Sequence, residues 1–475
     1  MTNRFWFAAS LLLAALLFAG SVRAEVKLPR VFSDHMVLQQ KQANPIWGWA
    51  DKGEEVTITL GDAKLTAKAD DNGRWSAKLP ALAAGGPHKL TVAGKGKEIT
   101  ISDILVGEVW VCSGQSNMEW SVAASLNPQE EAKNGDHPMI RMFTVAKNPT
   151  EKPQDDCNGQ WDVCSPQTVS RFSAVGYYFA RKLNQDLQVP VGMVHTSWGG
   201  TICEAWTSKE ALEAESDFKP IVDRGATFKK DPNQATNLFD GMVNPLIPYG
   251  IKGAIWYQGE SNLSRAAQYH KLFPTMIGDW RKRWGQGDFP FLFVQLAPYR
   301  YGGQPVEHCA ELWASQLHTL KTVPNTGMAV TTDITTINDI HPKNKQDVGK
   351  RLALWALAKT YEKKDLVYSG PIYDSAAVEG GKIRVKFQHV GGGLVARGDK
   401  PLSHFTIAGE DGKFVPAEAT IDGDSVLVSA KDVAKPASVR FAWNDTAEPN
   451  FFNKEGLPAS PFRTDSLPLL TEKNK

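Results

Sequence analysis

Charge of one sign is in no excess in this chain. Lysine and arginine number 53 against 52 for aspartate and glutamate, a net charge of +1. Neither a nucleic acid nor an anionic membrane surface would find the basic surplus that normally holds it. Cysteine is scarce. The five residues Cys112, Cys157, Cys164, Cys203 and Cys309 fit no zinc-ligand spacing, and no H-E-x-x-H occurs, so a structural or catalytic metal has no support. Beyond residue 24 no run is long and apolar enough to span a bilayer. Internal repeats and low-complexity linkers are also lacking.

What is present reads as a globular protein. The composition is 42% hydrophobic and 22% charged, and 475 residues are too many for one ordinary core, so two or three domains are expected. Residues 1–24 have the make-up of a signal peptide: Arg4 supplies the positive start, residues 5–19 the apolar core and Val22-Arg23-Ala24 a small-residue cleavage site. Cleavage after Ala24 would leave a soluble, exported chain, secreted or periplasmic, with no membrane attachment. Cys157 and Cys164 lie in one polar, loop-like segment and could bridge in such an oxidising compartment, and the odd count leaves at least one thiol free. Cys112 lies on an apolar run and reads as a small core residue.

The hydrophobic period changes twice. From 25 to 102, short alternating runs such as 56–60, 75–79 and 89–92 are separated by Asp70-Asp71-Asn72-Gly73 and Gly85-Gly86-Pro87, the pattern of a small β-sandwich. From 103 to 364 the chain alternates between β and α. Strands are predicted at 104–112, 139–145, 191–196, 251–257, 289–296 and 327–332. Helical spacing links Phe172, Val175, Phe179 and Leu183, then Tyr269, Leu272, Met276 and Trp280, then Leu312, Leu317 and Leu320. Such alternation predicts an α/β domain, a mainly parallel sheet with helices on both faces. From 365 to 475 the pattern is β again, with strands at 382–387, 425–429 and 438–443.

Chemistry gathers where three predicted strands end. The run 104–112 stops at Ser113-Gly114-Gln115-Ser116-Asn117, the strand 251–257 runs into Gln258-Gly259-Glu260, and the strand 327–332 leads to Asn338-Asp339-Ile340-His341. In a parallel sheet these carboxyl ends share one edge, the edge at which such proteins place ligands. A serine hydroxyl is a weak nucleophile and needs a base within about 3 Å, a partner orienting that base, and donors for an oxyanion. Ser116 is the candidate nucleophile and His341 the candidate base. Asp339 is the nearest orienting acid, with Asp333 and Asp347 as alternatives. The backbone N–H of Ser116, one from Gly199-Gly200 and the Gln258 amide are candidate oxyanion donors.

Gly114-Gln115-Ser116-Asn117-Met118, Ser197-Trp198-Gly199-Gly200-Thr201, Trp256-Tyr257-Gln258-Gly259-Glu260-Ser261-Asn262 and Asp339-Ile340-His341-Pro342 resemble, in order and spacing, the blocks of the sialate O-acetylesterase branch of the SGNH hydrolases. The segments 31–39 and 46–49 resemble that family's N-terminal β domain, so the likeness covers nearly all of the chain after residue 24. It implies an SGNH-type three-layer α/β/α catalytic domain flanked by β-sandwich-like regions, with Ser116 as nucleophile and His341 as base. It also implies a substrate and oxyanion set of Gln115, Gly200, Gln258, Gly259 and Glu260, an O-acetylated sugar as ligand, and no cofactor. Two blocks depart from the wider superfamily: Gln-Gly-Glu stands where an oxyanion Asn is usual, and Asn338 occupies the position of the usual acid. No G-x-S-x-G elbow occurs, which argues against the common α/β-hydrolase arrangement. A carboxylate pair of Glu260 and Asp339 would suit a glycosidase, but leaves Ser116 without a role. Trp120, Trp198, Trp206 and Trp256 lie close in sequence to the proposed site and could stack on sugar rings. Acetylated xylan, or recognition of glycan without catalysis, are the competing readings.

Overall fold

The computed structural model describes residues 25–224, 227, 229–334 and 336–474, so the leader expected at residues 1–24 lies outside the described residues. Its central sheet is built on Ile99–Gly114 (β1), buried without interruption from Ile104 to Gly114. A strand covered on both faces has no reason to alternate, which is why its sequence is apolar from Ile104 to Cys112 apart from Glu108, whose buried carboxylate accepts hydrogen bonds from Gln39 and Gln40. The other strands are His137–Val145 (β2), Gly159–Cys164 (β3), Val191–Ser197 (β4), Gly253–Tyr257 (β5), Phe291–Val294 (β6) and Thr326–Ala329 (β7). Their order across the sheet is β7-β6-β5-β1-β4-β2-β3, and all pairings are parallel except β2 with β3.

Register places the site. Gly114 at the end of β1 pairs with Ser197 at the end of β4 and with Tyr257 at the end of β5. Three strands therefore finish level, and the segments that follow them emerge side by side.

Alternation along the strands assigns the helices to two layers. Trp110 and Cys112 point to one face, where Trp110 meets Phe179 of Ala174–Leu187 (α2) at a ring separation of 5.0 Å. Ser113 points to the other face together with its partner Trp256, which packs on Phe273 and Trp280 of Ala266–Trp284 (α3). Glu307–Thr322 (α4) packs on α3, and Lys345–Trp355 (α5) packs on α2. The α/β/α layering is thus present, with α2 and α5 on one face and α3 and α4 on the other, while Ser116–Glu119 (α1) is a four-residue turn at the end of β1.

The flanking β regions are joined to this core in ways the sequence pattern left open. The first half of β1 pairs antiparallel with Gly85–Ala93 and parallel with Val37–Gln39, so four N-terminal strands and the seven catalytic strands form one eleven-stranded sheet, while Asn44–Trp49 and Arg74–Leu79 pair apart from it. The boundary expected at 102/103 falls inside β1, at Asp103, whose φ of +54° interrupts the extended chain and whose carboxylate pairs with Arg141 at 2.8 Å. Residues beyond 371 form small antiparallel sheets around Phe387, Phe405, Phe441, Phe451 and Phe462. They dock on the catalytic layers through Gln295 to Ser460 (3.0 Å) and Thr471 to Glu311 (2.7 Å).

One expectation is overturned. Cys157 and Cys164 are separate buried thiols, as are Cys112, Cys203 and Cys309. Most of the segment read as a loop is the edge strand β3, whose five residue steps from Gly159 to Cys164 already cover about 16 Å of extended chain, with Cys157 beyond its start, far outside the Cα separation a disulfide tolerates. No helix among the described residues is long and apolar enough to cross a membrane.

Candidate active site

Gly114 makes the turn that presents Ser116. Its φ is +138°, and a Cβ there would lie 2.1 Å from the carbonyl oxygen of Tyr257, so only glycine lets β1 end this close to β5. The Gln115 N–H then donates to that same carbonyl at 2.9 Å, and Ser116 opens α1 half-buried at the sheet edge. His341 arrives from the loop after β7, and its Nε2 lies 2.8 Å from Ser116 Oγ. Two groups 225 positions apart in the chain are in hydrogen-bond contact.

The imidazole is held by packing. Its ring stacks on Trp120 at 4.7 Å with 16° between planes, and the Trp120 backbone is fixed in turn by its main-chain N–H donating to the Ser116 carbonyl at 2.8 Å. Burial, then the neighbouring Lys345 cation, push the His341 pKa below the ordinary 6.5, with Asp339 pulling the other way. A neutral ring with a free lone pair toward a hydroxyl is a general base.

Asp339 is beside His341, but the bond it makes to that residue is to the main chain: Oδ1 accepts from the His341 backbone N–H at 2.9 Å. A carboxylate two residues back reaches the amide more easily than the ring, as in an Asx turn. The alternatives are engaged elsewhere. Asp333 forms a bidentate pair with Arg351 at 2.7 and 2.8 Å, and Asp347 exchanges hydrogen bonds with the helix cap Asn344 at 2.7 and 3.1 Å.

Of the donor set expected from the sequence, part is turned inward. Gln258 is fully buried: its Nε2 donates to Thr201 O (3.1 Å) and Asn262 Oδ1 (2.7 Å), and its Oε1 accepts from the Tyr269 hydroxyl (3.1 Å). It braces the 201 loop and does not offer its amide to a ligand. Gln115 Oε1 accepts from the Gly259 N–H at 3.2 Å and the Ser261 N–H at 3.4 Å, so Gln115 and Gly259 are spent on each other. Gly199 passes so near that a Cβ on it would meet Ser116 Cβ at 3.1 Å, and its N–H donates to Glu119 Oε2 at 2.7 Å. Gly200, next in the chain, is exposed with φ +76°.

Sequence reasoning missed a buried polar layer beneath the pair. Asn117 Nδ2 donates to Glu260 Oε1 at 2.6 Å and to the Ile340 carbonyl at 3.0 Å, while its Oδ1 accepts from Lys345 Nζ at 2.6 Å. Lys345 has no exposed surface, and burial pushes its amine down to about 7; burial likewise raises the Glu260 carboxyl. Asn117 had a signal in its place directly after the candidate nucleophile. Lys345, in a stretch reading His-Pro-Lys-Asn-Lys, had none. The tryptophans also divide. Trp206 and Trp256 are fully buried core, Trp120 serves His341, and Trp198 stays half-exposed with the Lys147 ammonium 5.2 Å from its ring. Among the described residues, no group of three or more His, Cys, Asp or Glu is placed to hold a metal ion.

Residues 106–358 match the model of the carbohydrate esterase family described as sialic acid-specific acetylesterase, a span that contains Ser116, Gly200, Gln258 and His341. The chain belongs to this family. It is 31% identical to the sialate O-acetylesterase of Mus musculus over 401 residues, 71% of this chain and 74% of the mouse protein. With the sialate O-acetylesterase of Homo sapiens it shares 29% over 479 residues, 90% of this chain and 91% of the human one. Among solved structures, a carbohydrate acetylesterase from Xanthomonas citri superimposes with a TM-score of 0.87 at 40% identity, covering 93% of this chain and all of that one. This member of the family is therefore a carboxylic ester hydrolase acting on carbohydrate, with an O-acetylated sugar as the substrate the family implies.

Proposed function

We propose that this esterase removes O-acetyl groups from sialic acids through a Ser116–His341 acyl-enzyme mechanism. The single observation that carries the mechanism is the 2.8 Å contact between Ser116 Oγ and His341 Nε2 at the carboxyl edge of the sheet. His341 takes the hydroxyl proton, Ser116 Oγ attacks the acetyl carbonyl, and the tetrahedral oxyanion is held by main-chain N–H groups. That of Ser116, which as the first amide of α1 has no helical acceptor, is one; that of Gly200 is the second candidate. The proton then passes from His341 to the departing sugar oxygen. Water, deprotonated by the same ring, frees acetate and returns Ser116 to its starting state.

Sialic acid as the sugar is supported by the family description and by the mammalian relatives. The higher identity to a relative named only as a carbohydrate acetylesterase favours a second reading, an acetylated polysaccharide such as xylan. The leader-like residues 1–24 support export, so the substrate would be met in the periplasm or outside the cell. Acetate release by the purified chain from O-acetylated sialic acid and from acetylated xylo-oligosaccharides tests both parts. The sialate reading expects the first to be much the better substrate, and equal rates would remove its support. Loss of all acetate release in Ser116→Ala is expected, and retained release would end the serine mechanism.

A further inference from the structure

The contact between nucleophile and base joins two loops with no sequence proximity, and something must hold them in register. Asn117 follows Ser116, Ile340 precedes His341, and the Asn117 carboxamide bridges the two backbones by donating to the Ile340 carbonyl at 3.0 Å. A carboxamide can flip, exchanging its oxygen for its nitrogen. Here it cannot do so without loss on both sides. The Lys345 ammonium, which only donates, faces Oδ1 at 2.6 Å, and the Glu260 carboxylate, which when ionised only accepts, faces Nδ2 at 2.6 Å. Both Nδ2 hydrogens are then used, one on Glu260 and one on Ile340. Removing either flanking group takes away part of what decides the orientation.

We propose that Asn117, oriented by buried Lys345 and Glu260, is the positioning residue that sets the Ser116–His341 distance. The inference rests on the serine mechanism proposed above and deepens it. Lys345 is fully buried, lies 5.9 and 5.6 Å from the Trp120 and Tyr257 rings, and contacts neither Ser116 nor His341 by hydrogen bond. Its influence on the base is electrostatic. The groups facing this pair are Glu260 and Tyr257 from β5 and the turn after it, Asp339 from the His341 loop, and the Ser116 hydroxyl and Trp120 ring from α1 and its end. Of these, Lys345 lowers and Asp339 raises the His341 pKa.

The test uses the full chain and 4-nitrophenyl acetate. Asn117→Ala is expected to lower kcat by about 100-fold, the cost of a misplacement of about 1 Å, with KM little changed. A folded Asn117→Ala with kcat within about threefold of the parent would overturn the proposal. Lys345→Met is expected to lower kcat with KM little changed, because the Asn117 carboxamide loses the donor that fixes its oxygen; a folded variant with kcat within about threefold of the parent refutes the orienting role. If the buried, unpaired Glu260 destabilises that variant, Lys345→Met/Glu260→Gln removes both charges. Thermal stability should then recover while kcat stays low, whereas kcat recovering with stability would mean that Lys345 acts on folding alone. Ser116→Ala separates the two layers of inference. A parent without activity, or a Ser116→Ala variant that keeps it, refutes the serine mechanism itself, whereas an active, serine-dependent parent with an unaffected Asn117→Ala refutes only the positioning role.

Discussion

Gly114→Ala is the change whose consequence can be followed furthest from structure to rate. The added Cβ would lie 2.1 Å from the Tyr257 carbonyl oxygen, and ordinary contact begins at 3.4 Å, so the two strand ends must part by 3.4 − 2.1 = 1.3 Å. The atom struck is backbone, which cannot rotate away, and it is also the acceptor of the Gln115 N–H immediately before Ser116. Parting the strands therefore moves the nucleophile itself. Added to a starting Oγ–Nε2 distance of 2.8 Å, a shift of that size along the contact gives about 4 Å, outside hydrogen-bond reach. Alanine at a φ of +138° costs a further ~1–3 kcal/mol of backbone strain, so a lower thermal midpoint is expected alongside the kinetic effect. With 4-nitrophenyl acetate, kcat should fall by about 100-fold or more. A soluble variant with native near-ultraviolet circular dichroism and kcat within about threefold of the parent would refute the claim that the β1–β5 approach places the hydroxyl.

Three further outcomes follow from the surroundings of His341. Because burial and Lys345 lower its pKa, and the base must be neutral, kcat/KM should fall as pH drops through a midpoint below 6.5; a midpoint above that value in a pH–rate profile contradicts the assignment. Asp339→Asn keeps an oxygen for the His341 main-chain N–H and removes only a charge that raises the imidazole pKa, so activity should stay within about fivefold and the acid limb should move to lower pH. A loss on the order of 10⁴-fold would instead make Asp339 the orienting acid of a full triad. Trp120→Ala removes a ring stack worth ~0.5–1.5 kcal/mol, predicting a drop in kcat of about 2- to 13-fold that Trp120→Phe largely restores, and equal losses in the two variants would mean that stacking is not what holds the ring.

Much of the scaffold was legible because it is written in local patterns. The apolar run at 104–112, broken only by Glu108, reads as a strand covered on both faces, and the spacing of Val175, Phe179 and Leu183 as the inner face of a helix, whereas Phe172 is buried in the turn just before that helix's N-cap, Ser173. The strand 327–332 was placed correctly but ends at Ala329, where Thr331 leaves the ladder to donate its hydroxyl to the Gln295 carbonyl at 2.6 Å. The edge strand β3 was read as loop because its polar residues face solvent on an antiparallel edge, where little apolar signal is required.

By itself, then, the sequence determined which segments pair into a parallel sheet, where each strand hands over to a polar turn, and that Ser116 and His341 stand on such turns. Those are properties of residues a few positions apart. Only the tertiary structure decided which polar groups face a ligand and which are consumed inside. Gln258 and Gln115 carry the same amide as any surface glutamine, yet are satisfied by Thr201, Asn262, Gly259 and Ser261. Lys345 has the sequence neighbourhood of a solvated helix start and is instead sealed under the site against Asn117, 228 positions away. Burial makes each such group find a partner, and the partner is supplied by whichever strand end the sheet happens to bring alongside.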